Sequence, residues 1–155
     1  AGSAAEAFTR MIDMIGQNPI LISAIKLIIS QRLVRRLDDA TKQAYEPDEA
    51  TQKHIRDTLA DLPASIEKPN LDKITLYKPG KSEANPFGYK GRTSILEELT
   101  ISPEIQALLR DQYTVPTSEM IEEQARKGGM LTMYQDGILK SLQGITTIEE
   151  INRVI

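Results

Sequence analysis

Few side chains in this 155-residue chain could do chemistry. There is no cysteine and one histidine, His54, which excludes thiolate metal sites, a cysteine nucleophile and any histidine cluster. Gly80-Lys81-Ser82 follows an extended run and has the ending of a phosphate-binding loop. That loop needs a glycine five positions before Gly80, where Thr75 stands, and Tyr77, Lys78 and Pro79 put bulk where bare backbone N–H groups should face phosphate. No helix start follows Ser82 to present a positive dipole end. The segment reads as a turn. His54 lies beside Lys53 and Arg56 in a predicted helix and, with no second ligand, reads as a surface residue. Asp38-Asp39 and Glu97-Glu98 have the chemistry to bind Mg²⁺. Nothing in the sequence brings them together, and they read as solvated ends of elements. The best functional candidates are Arg32, Arg35 and Arg36, after Gln31. On a helix, Arg32 and Arg36 share a face and could grip a phosphate or carboxylate bidentately. Equally, cations in a last helical turn complement its dipole. No catalytic residue and no metal ligand is assigned.

These residues must be positioned by a chain that is 40% hydrophobic and 26% charged, which is globular rather than disordered. Trp is absent and aromatics are 5%, so stacking platforms for single-stranded nucleic acid are not expected. The net charge of -3 hides blocks. Residues 1–37 and 73–92 are basic; 38–72 and 93–155 are acidic. Such alternation reads first as ordinary solvated faces; the sharper alternative is self-association or an anionic ligand, which it suits better than coating of DNA. The longest apolar stretch, from Ile20 to Ile29, is interrupted by Lys26 and falls short of a membrane span of roughly 18 apolar residues. Ala1 to Ala7 lacks the basic region of a leader peptide, so a cytoplasmic location is expected.

The apolar spacing predicts helices over 4–15, from Asn18-Pro19 to Leu37, and over 47–62. In the second, Ile22, Ile25, Ile29, Leu33 and Leu37 would share a face. Residues 73–77 and 88–99 read as two extended runs joined by a turn-rich loop, an antiparallel hairpin. Helices are then expected from Ser102-Pro103, over 117–127, over 130–143 and from Thr146 or Thr147, each threonine having a glutamate three residues on. The fold expected is mainly α with one small antiparallel β hairpin.

Three stretches carry a family resemblance. Ile28 to Leu37, with Arg10 to Met14 before it, resembles the helix pair after the nucleotide core of type II secretion and type IV pilus assembly ATPases. Gly88-Tyr89-Lys90-Gly91-Arg92 resembles their Gly-Tyr-Lys-Gly-Arg strand. Gly129-Met130, Asp136-Gly137 and Gly144-Ile145-Thr146-Thr147-Ile148-Glu149-Glu150 are similar to their closing signature. The resemblance implies the helical C-terminal subdomain of a RecA-like motor: a helix pair at 1–37, a metal-free equivalent of a zinc-binding insertion with the hairpin at 38–92, and a helical subdomain at 93–155. Many members hold a four-cysteine zinc site, whose positions here are Asp38, Thr41, Lys81 and Ala84. No thiolate or histidine stands there, so no metal is expected, and residues 63–87 are where most mobility is expected.

By the same resemblance, the whole motor is a hexamer that uses ATP and Mg²⁺ and couples to an inner-membrane platform protein. The phosphate-binding loop, acidic boxes and histidine box of the family are not in this stretch. The chain alone should therefore bind no cofactor and turn over no ATP. Gln31, Arg32, Arg35 and Arg36 are assigned to a subunit interface or to the surroundings of nucleotide, and Lys90 and Arg92 to a basic patch. Asp136 and the glycines of the closing signature read as helix punctuation. The alternatives are a freestanding helical adaptor without motor activity and a nucleic-acid-binding module, the latter opposed by the acidic total.

Overall fold

The computed structural model describes residues 2–111 and 113–155; Ala1, the first residue of the stretch read for a leader peptide, lies outside them. Among the described residues, seven helices and two two-stranded sheets give a mixed α/β architecture. It divides into two compact units, one of residues 1–30 and 97–132, the other of 31–96 and 133–155.

In the first unit, α1 (Ala4–Ile15) starts where the Ser3 hydroxyl accepts from the Glu6 amide and stops at Gly16, whose φ of 87° suits glycine. Asn18 accepts from the Ile20 amide to open α2 (Pro19–Ala24), with Pro19 in the first turn, as the sequence predicts. Helices α4 (Pro103–Arg110) and α5 (Ser118–Lys127) are capped by Ser102 and Thr117. Phe8 and Ile12 of α1, Ile22 of α2, Ile105 and Leu109 of α4 and Ile121 of α5 form its apolar core. The Glu97 carboxylate, itself buried, accepts from the Ala4 amide at 3.0 Å, where the positive end of α1 favours an anion.

The expected helix from Pro19 to Leu37 ends after its first turns. Residues Leu27–Leu37 are a strand, β1, which pairs with β4 (Tyr89–Thr100). The pair is antiparallel: Ile101 donates to Lys26 at one end and Asp38 donates to Gly88 at the other. The division between the units falls across both strands, after Ser30 and after Leu96. Along β1, Leu27, Ile29, Gln31 and Leu33 are exposed while Ile28, Ser30, Arg32 and Val34 turn inward, a period of two. The helical reading rested on Ile25, Ile29, Leu33 and Leu37. A spacing of four is even, so it satisfies a strand as well as a helix. The β-branched residues Ile28, Ile29 and Val34 decide for the strand.

The expected hairpin is also re-paired. Its first run shrinks to β3 (Leu76–Lys78), which pairs antiparallel with β2 (Gln43–Tyr45): Gln43 faces Lys78, Ala44 faces Tyr77 and Tyr45 faces Leu76. No turn signal marked β2, three residues long, and its partner is brought in from more than 30 positions away.

In the second unit, α3 (Glu49–Thr58) is capped by Asp48, whose carboxylate accepts from the Thr51 amide. Ile55 and the following Leu59 meet Val34, Ile74, Leu76, Ile95, Met133 and Ile138 of α6 (Met133–Leu142), and Ile151 of α7 (Ile148–Val154). The Arg56 guanidinium donates to the Leu71 carbonyl through Nε and Nη2, tying the irregular 63–72 segment to α3.

Candidate functional site

In the second unit the three signature stretches meet at Glu150. Thr147 caps α7, its hydroxyl accepting from the Glu150 amide at 3.2 Å, which is half of the capping box expected from the sequence. The other half does not form, because the Glu150 carboxylate is engaged by arginines. It accepts from the Arg35 backbone amide at 2.9 Å, from Arg35 Nε at 2.9 Å and Nη2 at 2.6 Å, and from Arg153 Nη2 at 2.9 Å. Glu150 is 2% exposed, so burial alone would raise its pKa. The hydrogen bonds from Arg35 and Arg153 outweigh that effect and hold the carboxyl at about 2, against an ordinary 4.5. In return, the carboxylate pushes the Arg35 guanidinium further up.

The second stretch enters through Tyr89, the first residue of β4. The Arg35 guanidinium carbon lies 4.4 Å from the centre of the Tyr89 ring, within cation–π range. The Tyr89 hydroxyl is 3.0 Å from the Thr147 hydroxyl. Thr146 donates to the Arg35 carbonyl at 2.9 Å and the Leu37 amide donates to the Ile145 carbonyl at 2.8 Å, so the end of β1 is hydrogen-bonded along residues 145–147. Arginine, tyrosine, threonine and glutamate are each required here by a partner. The members of the set are hydrogen-bonded to or stacked on one another. Its chemistry is that of a clamp.

The remaining signature residues act on the same unit. Asp136, expected to punctuate a helix, instead accepts from the Leu96 amide and from Lys140 Nζ, both at 2.9 Å, while Lys140 also donates to the Ser94 carbonyl at 2.6 Å. This ties α6 to β4. Gly137 is not punctuation either. It lies inside α6 against α7, and a Cβ there would come within 2.8 Å of Ile151 Cδ1. The positive φ values of Gly129 and Gly144 do fit a stopping role.

The sequence-predicted cations are more dispersed than a helix would place them. Gln31, Arg35 and Arg36 are exposed on β1 and Arg32 is half-buried, donating through Nη1 to the Gln31 carbonyl. On a strand, residues four apart are roughly 13 Å apart rather than about 6 Å. The helical argument that Arg32 and Arg36 grip one anion together therefore does not hold. Lys90 and Arg92 are exposed on β4, flanking Gly91.

Gly80-Lys81-Ser82 lies in a turn after β3, with Gly80 pressed against the Thr41 backbone and no helix after Ser82, so these residues do not fit the phosphates of ATP. His54 is exposed on α3, its Nε2 2.6 Å from the Tyr134 hydroxyl, with the two rings edge to face. Asp39 pairs with Lys42 at 2.8 Å, which pulls its pKa down. Among the described residues, no group of three or more His, Cys, Asp or Glu is arranged to hold a metal. At the four positions of the family's zinc site stand a carboxylate, a hydroxyl, an ammonium and a methyl group, a donor set that does not fit tetrahedral zinc.

A clamp whose parts come from all three signature stretches agrees with what the chain is similar to. Residues 1–153 match the profile of the family described as type II/IV secretion system protein, and the chain belongs to that family. Among its relatives, the type II secretion system protein E of Xanthomonas campestris is 39% identical over 98% of this chain and 25% of its own length. The type IV pilus assembly ATPases PilB of Pseudomonas aeruginosa and Thermus thermophilus are 34% and 36% identical, over 98% and 96% of the chain. The chain spans 25% of the Pseudomonas protein and 15% of the Thermus one, so it corresponds to a minor part of each of these relatives.

Proposed function

We infer that the chain is the C-terminal module of a hexameric, RecA-like ATPase that powers type IV pilus assembly or type II secretion, and that it contributes subunit packing and coupling rather than ATP chemistry. The observation that carries this reading is the family match over residues 1–153, together with signature residues engaged in structural hydrogen bonds instead of a catalytic set. ATP and Mg²⁺ belong to the whole motor, which would work at the cytoplasmic face of the inner membrane against a platform protein. Gln31, Arg32 and Arg36 on β1 are the subunit-facing or nucleotide-proximal residues, and Lys90 and Arg92 form a basic patch beside them in function. Arg35 serves the same role indirectly, by holding the end of β1, because its guanidinium is committed to Glu150.

The test uses the full-length motor. Replacing Arg32 and Arg36 by Ala should lower its ATPase rate at least tenfold while leaving the fold of this region intact by circular dichroism. Unchanged ATPase and unchanged hexamer population in that variant would overturn the assignment. The 155-residue chain alone should show no ATP turnover; hydrolysis abolished by Lys81→Ala would reinstate the loop at Gly80.

A further inference from the structure

Residues 38–42, after β1, and 79–88, before β4, are neighbours in the second unit although they are far apart in sequence. Two side-chain hydrogen bonds join them. Asn85 Nδ2 donates to Asp38 Oδ2 at 2.9 Å across 47 positions, and Thr41 Oγ1 donates to the Gly80 carbonyl at 3.1 Å across 39. Each partner is itself fixed. Asp38 Oδ1 accepts from the Ala40 amide, and the Asn85 amide donates to Ser82 Oγ. The Asp38 amide donates to the Gly88 carbonyl, and the Gly88 amide to the Asn85 carbonyl. Asp38 is buried. The backbones are in direct contact: a Cβ on Gly80 would overlap the Thr41 carbonyl, and one on Gly88, at φ 76°, would overlap the Gly80 carbonyl.

Both bonds stand where the resemblance puts a metal. Asp38 and Thr41 occupy the first pair of ligand positions. Asn85 is one residue past Ala84 and Gly80 one residue before Lys81, the second pair. Each bond thus joins a ligand position on one loop to the neighbour of a ligand position on the other.

We propose that a hydrogen-bonded clasp, Asp38–Asn85 with Thr41–Gly80, takes the place of a metal cross-link in this chain and closes the excursion between β1 and β4. A carboxylate–amide bond in a buried setting can do this because its loss leaves Asp38 with an unsatisfied oxygen. Gly80 and Gly88 are the conditions for it, since any side chain would hold the loops apart.

Hydrogen exchange on the 155-residue chain tests the clasp. In Asn85→Ala, the amides of Asp38, Ala40 and Gly88 should exchange about tenfold faster while those of α5 in the other unit keep their rates. In the wild type, a chelator in excess should change none of them. A wild-type chain loosened by the chelator, or an Asn85→Ala variant with unchanged exchange at all three amides, would overturn the proposal. Should Asn85→Ala unfold the unit, Asn85→Asp provides the second reading, with the same amides faster because two carboxylates then face each other. A variant with Asp38→Cys, Thr41→Cys, Lys81→Cys and Ala84→Cys tests the placement. It should bind one Co²⁺ with the absorption of a tetrahedral thiolate site and regain the protection of the three amides. No such absorption at one equivalent would show that the clasp does not stand in the metal's place.

Discussion

In the unit of residues 1–30 and 97–132, Phe8, Ile105, Leu109 and Ile121 meet in a core to which, among the described residues, one buried charged side chain, Glu97, is added. In the other unit, Asp38, Gln135, Ser141, Thr146, Thr147 and Glu150 are all buried, among the described residues, around an apolar core of similar make-up. The first is held by area removed from water, which is tolerant of direction. The second adds directional bonds whose loss strands a buried polar atom, so it specifies one arrangement of β1, β4 and α7. The residues by which the family is recognised fall mostly in the second. There Arg35, Tyr89, Thr146, Thr147 and Glu150 serve geometry, holding the end of β1 against α7 and the start of β4.

The largest effect should come from the apolar side. Phe8→Ala should destabilise the first unit by about 3–5 kcal/mol, with little dependence on pH. Denaturant unfolding at pH 7 and pH 4 checks both parts. Glu150→Ala should cost the second unit about 2 kcal/mol, because it removes the charged acceptor of the Arg35 amide and of the half-exposed Arg35 and Arg153 guanidiniums. The pH dependence sharpens this contrast. The Glu150 pKa is lowered on folding, so its contribution is complete above 4.5 and is lost as pH falls from 4.5 towards about 2. Glu150→Gln should remove that acid limb from the stability profile of the second unit and leave the first unit's unchanged.

A smaller loss is expected at Gly137→Ala. The added Cβ crowds buried Ile151 at a cost of about 1–3 kcal/mol, offset by about 1 kcal/mol of helix propensity. Adding Ile151→Val, which removes the nearest methyl, should restore part of the stability; thermal melts of the single and double variants decide it. The smallest effect has the opposite sign and lies in the first unit. Burial, with Glu97 nearby, raises the Glu122 pKa, so its contribution is present at low pH and lost as pH rises through that value. Glu122→Gln should therefore stabilise the first unit near neutrality by about 0.5 kcal/mol or less, visible as slower exchange in α5.

Much of this contrast was legible in the sequence, for local reasons. Asn18, Ser102 and Thr147 each cap the helix whose start they mark in the sequence. Caps are short-range, so they survive tertiary context. What failed was long-range. A repeat of four hid the strand at 27–37, and β2 is three residues whose partner is distant. Candidate chemistry failed the same way. Arg35 was visible as a cation, but its commitment to Glu150 spans 115 positions, and only the glutamate three residues after Thr147 hinted at it. Asp136, read as punctuation, bonds a backbone amide 40 positions earlier, which no residue pattern encodes.

The signature stretches form a clamp through Arg35 and Glu150, and a double-mutant cycle puts that coupling to the test. Arg35→Met, Glu150→Gln and the pair together would be compared by exchange of the Leu37 amide, which is bonded to Ile145 beside the clamp. A coupling above about 1.5 kcal/mol at pH 7 is expected, within the range for residues in direct contact. A coupling near zero, with additive losses, would contradict it.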